Sequence, residues 1–136
     1  PNMGNLEYLF DYHRVLVDVL YKKCDLGIRI TNAYKENDKK ALGELCGETD
    51  ELLTQVKKLH GAAADMWYKN NKPFGFELLD FRFGGTETRI GRAKERITDY
   101  LNGKIESVPE LEEERLWFGE EGNPFIHNYF FGRIFD

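Results

Sequence analysis

Apolar residues return every three or four positions over most of the chain, the spacing of one face of an α-helix. The first stretch carries Leu6, Leu9, Phe10, His13, Leu16, Val17, Leu20, Cys24 and Ile28 on one broad stripe, with Asp11, Arg14, Asp18, Lys22 and Asp25 opposite. That division predicts a long amphipathic helix with the stripe turned to the core. The polar run Lys35-Glu36-Asn37-Asp38 ends it. A second stripe, Leu42, Leu45, Thr49, Leu52, Val56, Leu59, Ala63 and Met66, passes Gly43, Gly47 and Gly61 without losing phase. Each interior glycine costs only about 1 kcal/mol against alanine, so one continuous helix is expected. A third stripe, Leu79, Phe83, Thr86, Ile90, Ala93, Ile97 and Tyr100, stops at Asn102-Gly103. Ser107-Val108-Pro109-Glu110 has the spacing of a capping box with proline in the first turn. It predicts a short acidic helix through Leu116, followed by loop from Gly119 to Pro124.

Short connections make neighbouring helices antiparallel, so the expected fold is all-α. It is an antiparallel bundle of three long helices, a short fourth helix and an aromatic C-terminal tail. At 136 residues it is one domain. Pro1-Asn2 before Met3 reads as a cloning remnant, leaving residues 4–118 for the bundle and 119–136 for the tail. Trp117, Phe118, Phe125, Tyr129, Phe130, Phe131 and Phe135 put seven of the nineteen aromatics in the last twenty residues. So many large apolar groups are rarely left in water, and the tail is expected to pack on the bundle or on an absent partner. A long, thin bundle also leaves much side surface for partners.

Composition changes this picture mainly by exclusion. No apolar run approaches the roughly 18 residues needed to span a bilayer, and no secretory leader is read, so no membrane partner is expected. A net charge of −5 argues against general affinity for phosphate backbones. Two cysteines, Cys24 and Cys46, are too few for a secreted disulfide scaffold; a reduced, cytoplasmic setting fits better. Both lie on apolar stripes and read as core thiols, and His13 reads as a hydrogen-bonded core residue.

Chemistry-bearing patterns are sparse. No Glu or Asp stands three positions before any histidine, and there is no His-x-x-x-His or Cys-x-x-Cys, so neither metal nor cofactor is expected. Lys72-Pro-Phe-Gly-Phe-Glu brushes against the aromatic strand of RNA-recognition modules, but its flanks are helical and no second stacking strand is present. Arg82, Arg89, Arg92 and Arg96 share a side of the third helix; with Glu87 and Glu95 interleaved, they are expected to meet Glu110, Glu112, Glu113, Glu114 or a partner's acids rather than nucleic acid. Glu77 and Asp80, neighbours on a helix, could do acid/base work, but a structural role toward Arg82 or an incoming basic group is the simpler reading. Gly84-Gly85 costs helix stability and suggests close approach of another backbone.

The run from Trp67 through Asn71-Lys72-Pro73-Phe74-Gly75-Phe76-Glu77 to Gly84-Gly85 and Arg89 resembles the C-terminal helical domain of bacterial family 20 glycoside hydrolases, the exo-β-N-acetylhexosaminidases. Leu101-Asn-Gly-Lys-Ile and Leu111-Glu-Glu-Glu-Arg-Leu are similar too. The resemblance implies a non-catalytic accessory domain whose parent removes terminal amino sugars from glycans by means of a preceding (β/α)₈ barrel. No position here matches the family's catalytic Asp-Glu pair, so no catalytic residue is assigned. The implied partner is that barrel, with a homodimer as a further implied role.

The contact surface is expected at the turn after the second helix. Pro73 and Gly75 make the turn. Trp67, Phe74 and Phe76 cluster on it, flanked by Lys72 and Glu77. Gly84 and Gly85 adjoin it, with Asp80 and Arg82 as polar anchors. A free-standing helical protein-interaction module is the rival reading.

Overall fold

The computed structural model describes residues 4–113. The expected cloning remnant, residues 114–118 and the aromatic tail lie outside the described residues. The fourth helix stops at Glu112, short of the expected Leu116, because Glu113 leaves the helical region with ψ 131°. After a 3-10 turn, Gly4–Leu6, come four helices: α1 (Glu7–Lys35), α2 (Lys39–Asn70), α3 (Glu77–Leu101) and α4 (Pro109–Glu112). The bundle is all-α, with no strand among the described residues. It is the three-long-helix architecture that the periodicity implies.

α2 is the central helix and packs along both α1 and α3. Its stripe is buried from Leu42 to Ala63, and Gly43, Gly47 and Gly61 all stand on the solvent side without breaking it. Thr49 lies within this stripe, its hydroxyl satisfied by the Leu45 carbonyl at 2.8 Å. The third stripe also faces inward, with Ala93 and Ile97 buried and Phe83, Ile90 and Tyr100 packed against the core. Between α1 and α2 the chain turns through Asn37 at φ 54°, and Asp38 caps α2 by accepting from the Ala41 N–H at 2.9 Å.

α1 corrects the sequence reading. Its buried residues are Val19, Leu26, Ile30 and Ala33, with Tyr12, Val15 and Leu16 partly covered. Of the expected stripe, Leu6, Phe10, Val17, Leu20 and Ile28 are exposed, and so are His13 and Cys24. The helix has two apolar faces, and the expected one is the outer. The reason lies on the flank: Lys22 pairs with Glu51 and Arg29 with Glu48, both on α2, which fixes the rotation of α1. His13 Nδ1 donates to the Leu9 carbonyl at 2.7 Å. Cys46 is the core thiol, its pKa pushed up by burial, whereas Cys24 is a surface thiol.

α4 closes the end of the bundle where α1 and α3 finish. Val108 and Leu111 are buried there. The Tyr34 hydroxyl accepts the Val108 N–H at 3.0 Å and donates to Glu112. The capping box does not form: Val108 is the cap residue and makes no side-chain cap bond. Glu110 instead accepts from Arg96 Nε at 3.0 Å, the meeting of arginine stripe and acids that was expected. Arg92 pairs with Glu95 on its own helix.

Burial by itself raises the Glu110 carboxyl, but its backbone N–H and Arg96 outweigh that and hold it below the ordinary glutamate range. A lowered carboxylate stabilises the fold above its unfolded value and stops doing so as pH falls through the folded one. Melting followed by circular dichroism should therefore drop more for the parent than for Glu110→Gln between about pH 6 and about pH 3. Equal drops would mean the pair adds nothing.

Candidate docking surface

α2 ends because Asn71 takes an extended conformation and Pro73 cannot continue a helix. The chain reverses through Gly75, whose φ of +99° is left-handed and favours glycine. Two contacts lock the turn. Trp67 Nε1 donates to the Lys72 carbonyl at 2.8 Å, and the Glu77 carboxylate accepts the Gly75 N–H at 2.7 Å. A Cβ at Gly75 would stand 3.4 Å from the Trp67 ring.

Beneath the turn, Phe76 is buried against Trp67 and Tyr68, with ring centroids 5.9 and 5.3 Å away. His60 continues the stack onto Phe83 at 4.7 Å. Its Nε2 meets Asp80 at 2.8 Å and its Nδ1 meets Glu87 at 3.2 Å. With a carboxylate of α3 at each ring nitrogen, His60 makes a polar clasp between α2 and α3. Nothing in the sequence announces it, because the partners lie 20 and 27 positions away. Asp80 is thus engaged within the bundle, and Glu77 serves the turn; neither fixes Arg82.

The expected contact residues divide into two sets. Trp67, Gly75, Phe76, Glu77 and Asp80 hold the corner together. Phe74 stands outward at 84% exposure, beside exposed Lys72 and Pro73. Arg82 is exposed, and its guanidinium has no ion pair among the described residues. Leu78 and Phe81, which the sequence reading passed over, join the outer set at 63% and 76% exposure. Their spacing with Gly85, steps of three and four on the side of α3 away from its buried stripe, was the available signal. A Cβ at Gly84 or Gly85 would meet nothing within 4 Å, so no backbone approaches closely among the described residues. The corner therefore offers an apolar surface next to a shallow glycine step. Among the described residues no group of three or more His, Cys, Asp or Glu side chains could hold a metal ion, and no helix is long and apolar enough to cross a membrane.

The two glycine sites should respond oppositely to alanine. Gly75→Ala must adopt a left-handed φ against Trp67 and should cost about 1–2 kcal/mol. Gly85→Ala, in a helix with open space around it, should gain about 0.5–1 kcal/mol. Urea unfolding of both variants measures the contrast, and a neutral Gly75→Ala would refute the locked turn.

Residues 2–128 match the family model described as the Glycoside Hydrolase 20C C-terminal domain. No curated protein matches the chain.

Proposed function

Since the chain belongs to the glycoside hydrolase 20C C-terminal domain family, and is thus a helical accessory domain of a glycoside hydrolase, we propose that its task is to support a catalytic barrel of the same polypeptide. The parent would be a β-N-acetylhexosaminidase that removes terminal amino sugars from glycans in the cytoplasm. The domain itself contributes no catalytic residue. In this reading residues 4–118 form the supporting bundle and the tail, 119–136, packs on it or on an absent partner. A homodimer built through the bundle is compatible with the same role.

The observation that carries the reading is the outward group of Phe74, Leu78 and Phe81 beside Gly84-Gly85. Large apolar side chains clustered on a corner that is already well packed beneath mark an interaction site. A flat, open glycine step next to them suits the approach of another domain's backbone. Arg82 adds a charge available for a carboxylate on that domain.

Gly85→Leu and Phe74→Ala separate contact from self-support. In the isolated domain neither should destabilise, and Gly85→Leu should raise stability by about 0.5–1 kcal/mol through helix propensity. In the full-length enzyme both should lower stability or activity. Equal effects in the two settings would leave the corner with no docking role. The isolated domain should also fail to turn over a chromogenic N-acetylglucosaminide. Turnover that disappeared on changing Glu77 or Asp80 to alanine would overturn the non-catalytic assignment.

A further inference from the structure

The outer face of α1 remains unexplained by the corner. Leu6, Phe10, Val17, Leu20, Tyr21 and Ile28 are each more than half exposed, and together they make a ridge along one side of the helix. From Leu6 to Ile28 it runs about 33 Å at the standard helical rise. Isolated apolar side chains on a surface need no explanation, but a continuous ridge of six does. We propose that this ridge is the seat of the chain's own C-terminal segment, residues 114–136.

Three observations favour that occupant. The first is where the chain leaves the bundle. Glu112 is bound by the hydroxyl of Tyr34, in the last turn of α1, so the described chain ends beside the C-terminal end of that helix. Ile28 lies six residues below Tyr34, about 9 Å along the axis. The second is reach. Twenty-three residues follow Glu113, and they span about 34 Å as helix or up to about 75 Å extended. Either length covers the ridge from Ile28 back to Leu6. The third is composition. Trp117-Phe118, Phe125-Ile126, Tyr129-Phe130-Phe131 and Ile134-Phe135 supply apolar groups along the segment, and Gly119, Gly122 and Pro124 let it turn onto the helix. Covering the ridge and burying these aromatics solve each other. The proposal places the tail on the bundle itself, and it stands or falls independently of what docks at the corner.

Cys24 sits within the ridge and serves as a reporter, since Cys46 is buried. In the full 136-residue chain, reaction of Cys24 with an aromatic disulfide reagent should be slow and independent of protein concentration. The triple change Phe125→Ser, Phe130→Ser, Phe131→Ser should quicken it about tenfold or more, the ratio for a shield open a tenth of the time, with helical dichroism unchanged. A parent thiol as reactive as a free cysteine would overturn the proposal. Protection that grows with concentration and survives the triple change would do so too, and would point to a second copy. A complementary arm perturbs the ridge and leaves the tail intact. Val17→Asp, at an exposed position, should speed tryptic cleavage after Arg115 and Arg133 while 4–113 stays folded. Unchanged cleavage would reject the tail as occupant, whatever the triple variant does.

Discussion

The structure depends on a single buried stripe serving two neighbours. Leu42, Leu45, Leu52, Val56, Leu59 and Ala63 form one line on α2, and α1 and α3 both pack against it. A helix in that position must be apolar on its inner side for most of its length. Losing one leucine there would cost roughly 2–5 kcal/mol, a large share of the stability of a domain this size. The ion pairs along the flanks, Lys22–Glu51, Arg29–Glu48 and Lys94–Asp50, are worth far less each, because their side chains remain wet. The part of Lys22–Glu51 and Arg29–Glu48 is to choose the rotation of α1, with its two apolar faces, about an axis that hydrophobic burial has already placed.

Polar groups inside the bundle are cared for, and apolar groups outside it are not. Among the described residues no buried side-chain nitrogen or oxygen lacks a hydrogen-bond partner. Among the described residues His60 is the histidine drawn into the packing, and it has an acid on either side. Against that, the described residues leave aromatic and aliphatic side chains uncovered at the corner around Phe74 and along the outer face of α1. A sequence that met these internal demands and still kept Phe74, Leu78 and Phe81 exposed at the corner reads as one part of a larger assembly, which is what membership of a C-terminal domain family implies.

How legible this was in the sequence differs helix by helix. α2 and α3 each carry one apolar stripe, so period and phase coincide and the buried face follows directly. α1 carries two. Leu6, Phe10, Val17 and Ile28 keep helical spacing as well as Val19, Leu26, Ile30 and Ala33 do, and periodicity cannot rank them. What ranks them is long-range: Glu48 and Glu51 on the next helix, which attract Arg29 and Lys22. The corner was legible as a turn, since Pro73 and Gly75 act locally, but not in its division of labour. Whether Phe74 or Phe76 faces inward depends on the left-handed step at Gly75 between them, and the His60 clasp depends on packing that no short window contains.

The Tyr34 hydroxyl has a consequence for the order in which the chain assembles. Most of the packing joins consecutive helices, a topology of low contact order that forms quickly because each loop to be closed is short. The bonds from Tyr34 to Val108 and Glu112 are of another kind, linking residues 74 and 78 positions apart. They cannot form until α1, α2 and α3 have brought the two ends of that long loop together. α4 is therefore set to dock last and to peel away first. Tyr34, together with the Arg96–Glu110 pair, thus guards a sub-global opening at this end of the bundle, one that bares Val108 and Leu111.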